Sequence, residues 1–547
     1  MESIELNVRN HMKRTETVQY PDFDQMLSSI EKNELRIVDE TYHRPQRRKT
    51  SVAIIAGVSV AVLATPVYAA VQYDWSSILS KKPGIEAALK AGYGQQVEQS
   101  ATDHGVTLTV HTAFTDENRT FLLYTLKPEE ATRGQEIRYD RIVLKDSSGA
   151  PIEGHYVQKW NAEQGVYQGY FETNWVMKED LSKLQFSVTN VRYLEDLEQE
   201  IHWNPNDPGT QQFTIQKDGI QTVKIQALAS SPGQILLNSF VTFTDAAVQE
   251  QTWARIAAYD SLGNKIRETE SPAYGTSGAT GEYTSQQKFS EQLLKKKGNR
   301  FALVYTHEKG RTDGSWNVNL SLSRKQMESG SFRKSMDIPL HTLSEEASIR
   351  ELVVTPTQIR LVLNHQDRRF RMPYQTLQLD VGGRVFEGEV GLEEGDSHAG
   401  KTVLRFEPTD SITVDIAALE NTPITLIGKE RVDVHKGSDV PVRLTDISSQ
   451  PQTIRTSYEG YPVHWTYYIK DNNLYVESES PDASFGGINQ TYFVEGKESM
   501  YLIPQFYFGS GNKHTDMYKN FNGTDLDLYV WNYTTKNPDD ELRVKLN

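Results

Sequence analysis

VTLTVHTAFTDENRTFLLYTL, residues 106–126, alternates Val106, Leu108 and Val110 with Thr107, Thr109 and His111. A period of two sends successive side chains to opposite faces of a strand, so one face is apolar and the other polar. Asp116, Glu117, Asn118 and Arg119 then break the alternation with turn chemistry, and Phe121 to Leu126 returns as a more uniformly apolar run. The segment predicts a β-hairpin whose second strand is the more deeply buried.

The same device recurs. Thr222 to Ala227 turns at Ser230, Ser231, Pro232 and Gly233 and returns as Ile235 to Phe240; Ile349 to Val354 turns at Thr355, Pro356 and Thr357 and returns as Ile359 to Leu363. The hairpins start about 115–130 residues apart, the length of one β-sandwich module. Trp203 to Gly209 and Met336 to Leu340 carry the Pro, Gly and Asp expected of linkers. Runs at Val463 to Ile469, Leu474 to Val476 and Leu526 to Trp531 extend the pattern to the end, as a fourth module or an extension of the third. The fold expected is mainly β: tandem β-sandwich-like domains over 73–207, 208–338 and 339–547. A short helix at Ile85 to Lys90, closed by Gly92 and Gly94, precedes the first of them.

Ahead of these modules, VAIIAGVSVAVLATPVYAAV (residues 52–71) carries no charge and follows Arg44, Arg47, Arg48 and Lys49. At about 1.5 Å per residue such a helix spans the roughly 30 Å hydrocarbon layer, and the basic cluster marks the cytoplasmic side. A transmembrane helix is expected over 51–72. Pro66 followed by Val67, Tyr68, Ala69 and Ala70 also fits a signal-peptidase site, but a signal's basic region is short and here about 50 residues precede the apolar run. Residues 1–50 then form a cytoplasmic arm and basic linker. Asp22 can cap a short helix in which Phe23, Met26, Leu27 and Ile30 fall on one stripe. A helix this short is marginal alone, so the stripe is a candidate docking face for a partner.

Composition excludes several functions. With no cysteine there is no disulfide frame, zinc-thiolate site or thiol nucleophile. A net charge of −15 argues against direct nucleic-acid binding. The 13 histidines are scattered without HExxH spacing, and no GxSxG elbow occurs, so neither an enzyme nor a cofactor or metal is expected. Asp525 and Asp527 lack the rest of a calcium loop. Residues 395–402, GDSHAGKT, match the phosphate-loop pattern GxxxxGK[ST]. That loop works between a buried strand and a helix N-terminus. Here Val390 to Glu394 is acidic and broken by Gly391, and Val403 to Pro408 alternates like a strand, so a turn between strands is the better reading.

Three runs, Lys82 to Glu86, Lys90 to Gln95 and Asp116 to Tyr124, resemble a family of single-span proteins from Bacillus- and Paenibacillus-like bacteria named for an ectodomain of unknown function. Phe213 to Phe243 is similar to a second β-rich domain that often follows it. The resemblance implies an anti-sigma factor or related regulator, and it brings no catalytic residues. The zinc-type anti-sigma signature is impossible without cysteine, so residues 1–50 would hold a sigma factor by docking Phe23, Met26, Leu27 and Ile30. The expectation is a cell-membrane protein with a cytoplasmic N-terminus, whose extracellular β-rich bulk binds an unidentified envelope ligand. The alternative is a surface-anchored binding protein contacting cell-wall polymer, with no transcriptional role.

Overall fold

In the computed structural model the two halves of the hairpin at 106–126 are strands Val106–Thr115 and Thr120–Lys127, paired antiparallel from Thr107 with Lys127 to Thr115 with Thr120. The described residues are 73–547 apart from 130–134, 208, 230–232, 270–272, 278–281, 344–345, 367–369, 392–399, 409–415 and 505–511. All of them fall in one compact unit, Thr65–Asn547. The arm stripe (Phe23, Met26, Leu27, Ile30), the basic cluster (Arg44, Arg47, Arg48, Lys49) and the apolar stretch 52–71 lie outside the described residues. No helix among the described residues is long and apolar enough to cross a membrane.

The chain is mainly β, and its sheets are antiparallel. The first sheet orders Gln95–Asp103, Val106–Thr115, Thr120–Lys127, Val166–Thr173 and His155–Asn161. Its inner face, including Leu122, Tyr124 and Leu126, packs on Leu144, Phe186, Val188 and Trp316 of a second, six-stranded sheet. A third sheet, containing the hairpin Ile220–Ala229 and Gln234–Phe243, packs Val223, Ile225 and Leu237 on Ile256, Leu303 and Tyr305 of that same second sheet. One sheet therefore closes two cores.

Length makes this possible. Leu181–Ile201 and Arg300–Ser323 have 21 and 24 residues and pair from Phe301 with Ile201 to Ser323 with Leu181. At about 3.3 Å per residue these strands run for roughly 70 Å, several times an ordinary strand. Trp316, Val318, Leu320 and Leu322 serve the first core and Phe301, Leu303 and Tyr305 the second; between them lie exposed polar residues and register shifts at Glu308/Gly310 and Thr312/Ser315. A cut of the chain near residue 207 thus separates the first core from one of its own strands.

The remainder repeats the plan. A twelve-stranded sheet begins at Phe332–Pro339 and contains the hairpin Ser348–Val354 and Ile359–Asn364. It closes one core around Leu352, Leu361, Leu379 and Leu404 and, through Phe485–Glu495 and Leu526–Asn537, another around Trp465, Val476, Ile488 and Leu528. Residues 339–547 thus hold two cores joined by a shared sheet, and the terminal strand Leu542–Lys545 returns to the first of them. Met336 to Leu340 is not a linker. It ends an edge strand whose Met336 and Ile338 pack on the core, with a register shift between Ser335 and Ile338 that accommodates the irregular pattern. The GDSHAGKT stretch joins the antiparallel strands Arg384–Gly391 and Lys401–Pro408, so no helix follows it to bind phosphate. Asp527 is paired with Arg443 at 3.0 Å.

The helix Pro83–Lys90 starts with proline at its first turn and carries a Glu86–Lys90 pair across one turn. Ile85 and Ala88, with Trp75, Ile78 and Leu79 from the preceding turn of helix, pack on Phe114, Phe121, Leu123 and Tyr170 on the outer face of the first sheet. Gly94 ends the connection at φ +101°, where a Cβ would lie 2.7 Å from the Phe114 ring.

Trp316 is fully buried and its indole N–H donates to the Val106 carbonyl at 2.9 Å. Trp316→Ala is expected to cost about 3–5 kcal/mol in denaturant titrations of the whole protein. A fragment of residues 73–207, lacking that strand, is expected to show no near-UV circular dichroism and no cooperative melt.

Candidate functional site

Two of the three hairpin turns read from the sequence meet tip to tip. In the first, Asp116 Oδ1 accepts from the backbone N–H groups of Asn118 (2.7 Å) and Arg119 (3.0 Å), which closes the turn. In the other, the Thr355 N–H donates to the Gln358 carbonyl at 3.0 Å. Asn118 Nδ2 donates to that same carbonyl at 3.0 Å, and the Thr357 hydroxyl donates to Asp116 Oδ2 at 2.6 Å. Each turn supplies the other's missing partners.

Arg119 lies at the centre, with its side chain 1% exposed. Its Nε donates to the Thr357 hydroxyl at 3.1 Å and Nη2 to the Thr357 carbonyl at 2.6 Å. Nη1 reaches Glu172 at 2.5 Å and Glu407 at 2.6 Å. Glu172 belongs to strand Val166–Thr173 of the first sheet; Glu407 belongs to Lys401–Pro408 of the twelve-stranded sheet. Lys82, directly before the helix Pro83–Lys90, pairs with Glu172 at 2.8 Å and reaches Glu407 at 3.5 Å. Arg405 donates from Nη1 to the Asn118 carbonyl at 3.3 Å and to Gln358 Oε1 at 3.2 Å. Three cations, Lys82, Arg119 and Arg405, and three carboxylates, Asp116, Glu172 and Glu407, thus join the segment before the helix Pro83–Lys90 to two separate sheets.

The electrostatics follow from burial. For Glu172, loss of solvent opposes ionisation, but Arg119 and Lys82 outweigh it and hold the carboxyl at about 2. Burial likewise works against the charge on Arg119 and on Lys82, and the adjacent carboxylates reverse the sign and hold both firmly protonated. No group of three or more ligand side chains able to hold a metal occurs among the described residues. The arrangement is a charge lock that couples two sheets.

A second contact joins the third sheet to the sheet containing Tyr461–Lys470. Leu228 and Leu236 pack with Tyr475 and Met517, and Gln226 Nε2 donates to the Tyr475 hydroxyl at 2.9 Å. Beside it is a cleft of about 410 Å³ lined by Tyr468, Lys470, Asp471 and Glu477. Burial pushes the Lys470 ammonium down, with Asp471 and Asp207 acting in the opposite direction. Glu477 is already taken by Lys513 at 2.9 Å and by the Tyr468 hydroxyl at 3.1 Å.

The partner-binding residues Phe23, Met26, Leu27 and Ile30 and the topology residues Arg44, Arg47, Arg48 and Lys49 expected from the sequence lie outside the described residues. Lys82 and Arg119 fall in two of the runs that carry the family resemblance, but nothing in the sequence marked them, or Glu172 and Glu407, as partners. Arg119 is 53 residues from one carboxylate and 288 from the other, and no local pattern links them.

Arg119→Met would leave Glu172 and Glu407 with Lys82 as the remaining cation of their half-buried site, with an expected loss of about 3 kcal/mol in chemical denaturation. Because the Glu172 carboxyl is depressed in the folded state, its contribution is complete above its ordinary range near 4.5 and is lost as pH falls toward about 2. Acid titration of Glu172→Gln should show a shallower fall in stability across that window than the parent protein.

Residues 43–128 match the model of a family described as a domain of unknown function, DUF4179. No curated protein is matched by sequence. Among solved structures, a conserved domain protein from Bacillus anthracis aligns over 83% of this chain and 92% of its own, at 10% identity and a TM-score of 0.33. A score that low carries no argument about function. What this chain shares by sequence, then, is the stretch from the basic cluster through the first hairpin with that domain of unknown function.

Proposed function

We propose that the chain is a single-pass membrane regulator: an anti-sigma factor with a cytoplasmic arm, residues 1–50, and a β-rich outer portion that binds an envelope ligand. Residues 52–71 form the anchor and Arg44, Arg47, Arg48 and Lys49 fix its direction. Phe23, Met26, Leu27 and Ile30 hold the sigma factor by laying a short helix into an apolar groove. The observation that supports this reading best is the position of Lys82. It stands 11 residues beyond Val71 and is paired with carboxylates from two different sheets. A strain on either sheet is thereby passed to the segment that enters the membrane, through Trp75, Ile78, Leu79 and the helix Pro83–Lys90 packed on the first sheet. The family match over 43–128 covers the basic flank, the apolar stretch and this packed segment together. Release of the sigma factor then requires the arm to be shifted or cut.

A second reading, a surface-anchored protein that grips cell-wall polymer, is favoured by one observation: large aromatic side chains, Tyr501 and Trp531, stand exposed on one sheet. Deleting residues 1–40 separates the two readings, since a regulator loses its effect on transcription and a surface binder retains its ligand.

Affinity capture with residues 1–50 is expected to recover a sigma factor, and loss of capture in Leu27→Asp is expected to follow. Recovery of none from cells expressing the neighbouring sigma factors would refute the regulator. Protease added to intact protoplasts is expected to remove the β-rich bulk and spare the arm.

A further inference from the structure

The hairpin of Tyr461–Lys470 and Asn473–Glu479 sends Trp465, Tyr467, Leu474 and Val476 into one core. Tyr468, Lys470, Tyr475 and Glu477 take the alternate positions and stand on its other face. There Tyr475 packs with Leu228 and Leu236 of the third sheet, but this contact covers only part of the face. The cleft of about 410 Å³ stays open beside it, with Leu228 on one wall and Tyr468, Ile469 and Lys470 on the other. Its size is that of a small-molecule site, and such sites favour seams between packed units. The turn joining the two strands, Asp471 and Asn472 at φ +51° and +60°, is of the mirror-image kind that hairpins prefer, and it brings Asp471 to the cleft beside Lys470.

The charges along the cleft are not equally satisfied. Glu477 is held by Lys513 and by the Tyr468 hydroxyl. Lys470 and Asp471 make no ion pair among the described residues; Asp471 Oδ2 accepts from the Thr210 hydroxyl at 2.6 Å. Loss of solvent works against the Lys470 ammonium, and Asp471 and Asp207 support it from beyond ion-pair distance. We propose that this cleft binds a zwitterionic α-amino acid with an apolar side chain. The ligand carboxylate pairs with Lys470, its ammonium with Asp471, and its side chain lies against Leu228 and the Tyr468 ring. A lone anion would meet the Asp471 and Asp207 carboxylates, and a lone cation the Lys470 ammonium; a ligand bearing both charges side by side is repelled by neither. Exposed ion pairs are worth little, but Lys470 is short of water as well as of a counter-ion, so a ligand carboxylate there makes the stronger, charge-assisted kind of hydrogen bond. Because Leu228 and Lys470 belong to different sheets, the bound ligand bridges them. The site gives the outer portion of the proposed regulator a ligand class; it rests on that reading only for the side of the membrane that the cleft faces.

Isothermal titration of the purified full chain in mild detergent, with titration into detergent alone subtracted, tests the site with L-leucine and two half-charged analogues. 4-Methylpentanoate keeps only the anion, and isopentylamine only the cation. Leucine is expected to bind at least about tenfold more tightly than either analogue. Lys470→Met and Asp471→Asn are each expected to weaken leucine binding about tenfold while the melting curve stays that of the parent, since asparagine accepts the positive φ of position 471. Lys297→Met, exposed and outside the cleft, is expected to bind as wild type. No heat with leucine, an analogue that binds as tightly as leucine, or parental affinity in either cleft variant overturns the site. Sigma-factor capture by residues 1–50 is a separate readout, so failure of one proposal leaves the other standing.

Discussion

The interaction on which the larger architecture depends is the guanidinium of Arg119 held between Glu172 and Glu407. A cation taken out of water is stable only when its partners are fixed and its remaining donors are satisfied. Here Thr357 accepts two of those donors, and Asp116 in turn orients Thr357. Because the carboxylates come from different sheets, the charge cannot be satisfied unless those sheets are brought together. Burial thus turns an ordinary surface arginine of a hairpin turn into a condition on the relative placement of two sandwiches.

Shared sheets impose the other condition. Leu181–Ile201 and Arg300–Ser323 bind the first two cores into one body, and the twelve-stranded sheet does the same for the second two. The charge lock joins the first core to the third, and the contact of Leu228 and Leu236 with Tyr475 and Met517 joins the second to the fourth. Each core is therefore tied to two others, once by continuous backbone hydrogen bonding and once by side chains. The backbone ties are long ladders; the side-chain ties are small and polar at their centres. Lys82 belongs to the side-chain tie between the first and third cores.

The strand that supplies Glu407 belongs to the twelve-stranded sheet, while Lys82, which reaches that carboxylate, stands 11 residues beyond Val71 in the chain.

The sequence alone determined the strands. Alternation at Val106 to Val110, the Asp116 to Arg119 turn and the matching hairpins at 222–240 and 349–363 are local, and local spacing settles them because neighbouring side chains must sort to opposite faces of a strand. The same local logic reads Val403 to Pro408 as a strand, and it pairs antiparallel with Arg384–Gly391 across residues 392–399, which lie outside the described residues. It misreads Met336 to Leu340, where proline and polar residues suggest a linker and tertiary packing of Met336 and Ile338 makes an edge strand. Only the tertiary structure decided that one pair of strands runs through two cores, that Arg119 meets Glu172 and Glu407, and that Leu228 and Lys470 line one cleft. Such contacts join residues tens to hundreds of positions apart, and their energy comes from burial and charge pairing that exist only once the sheets are assembled.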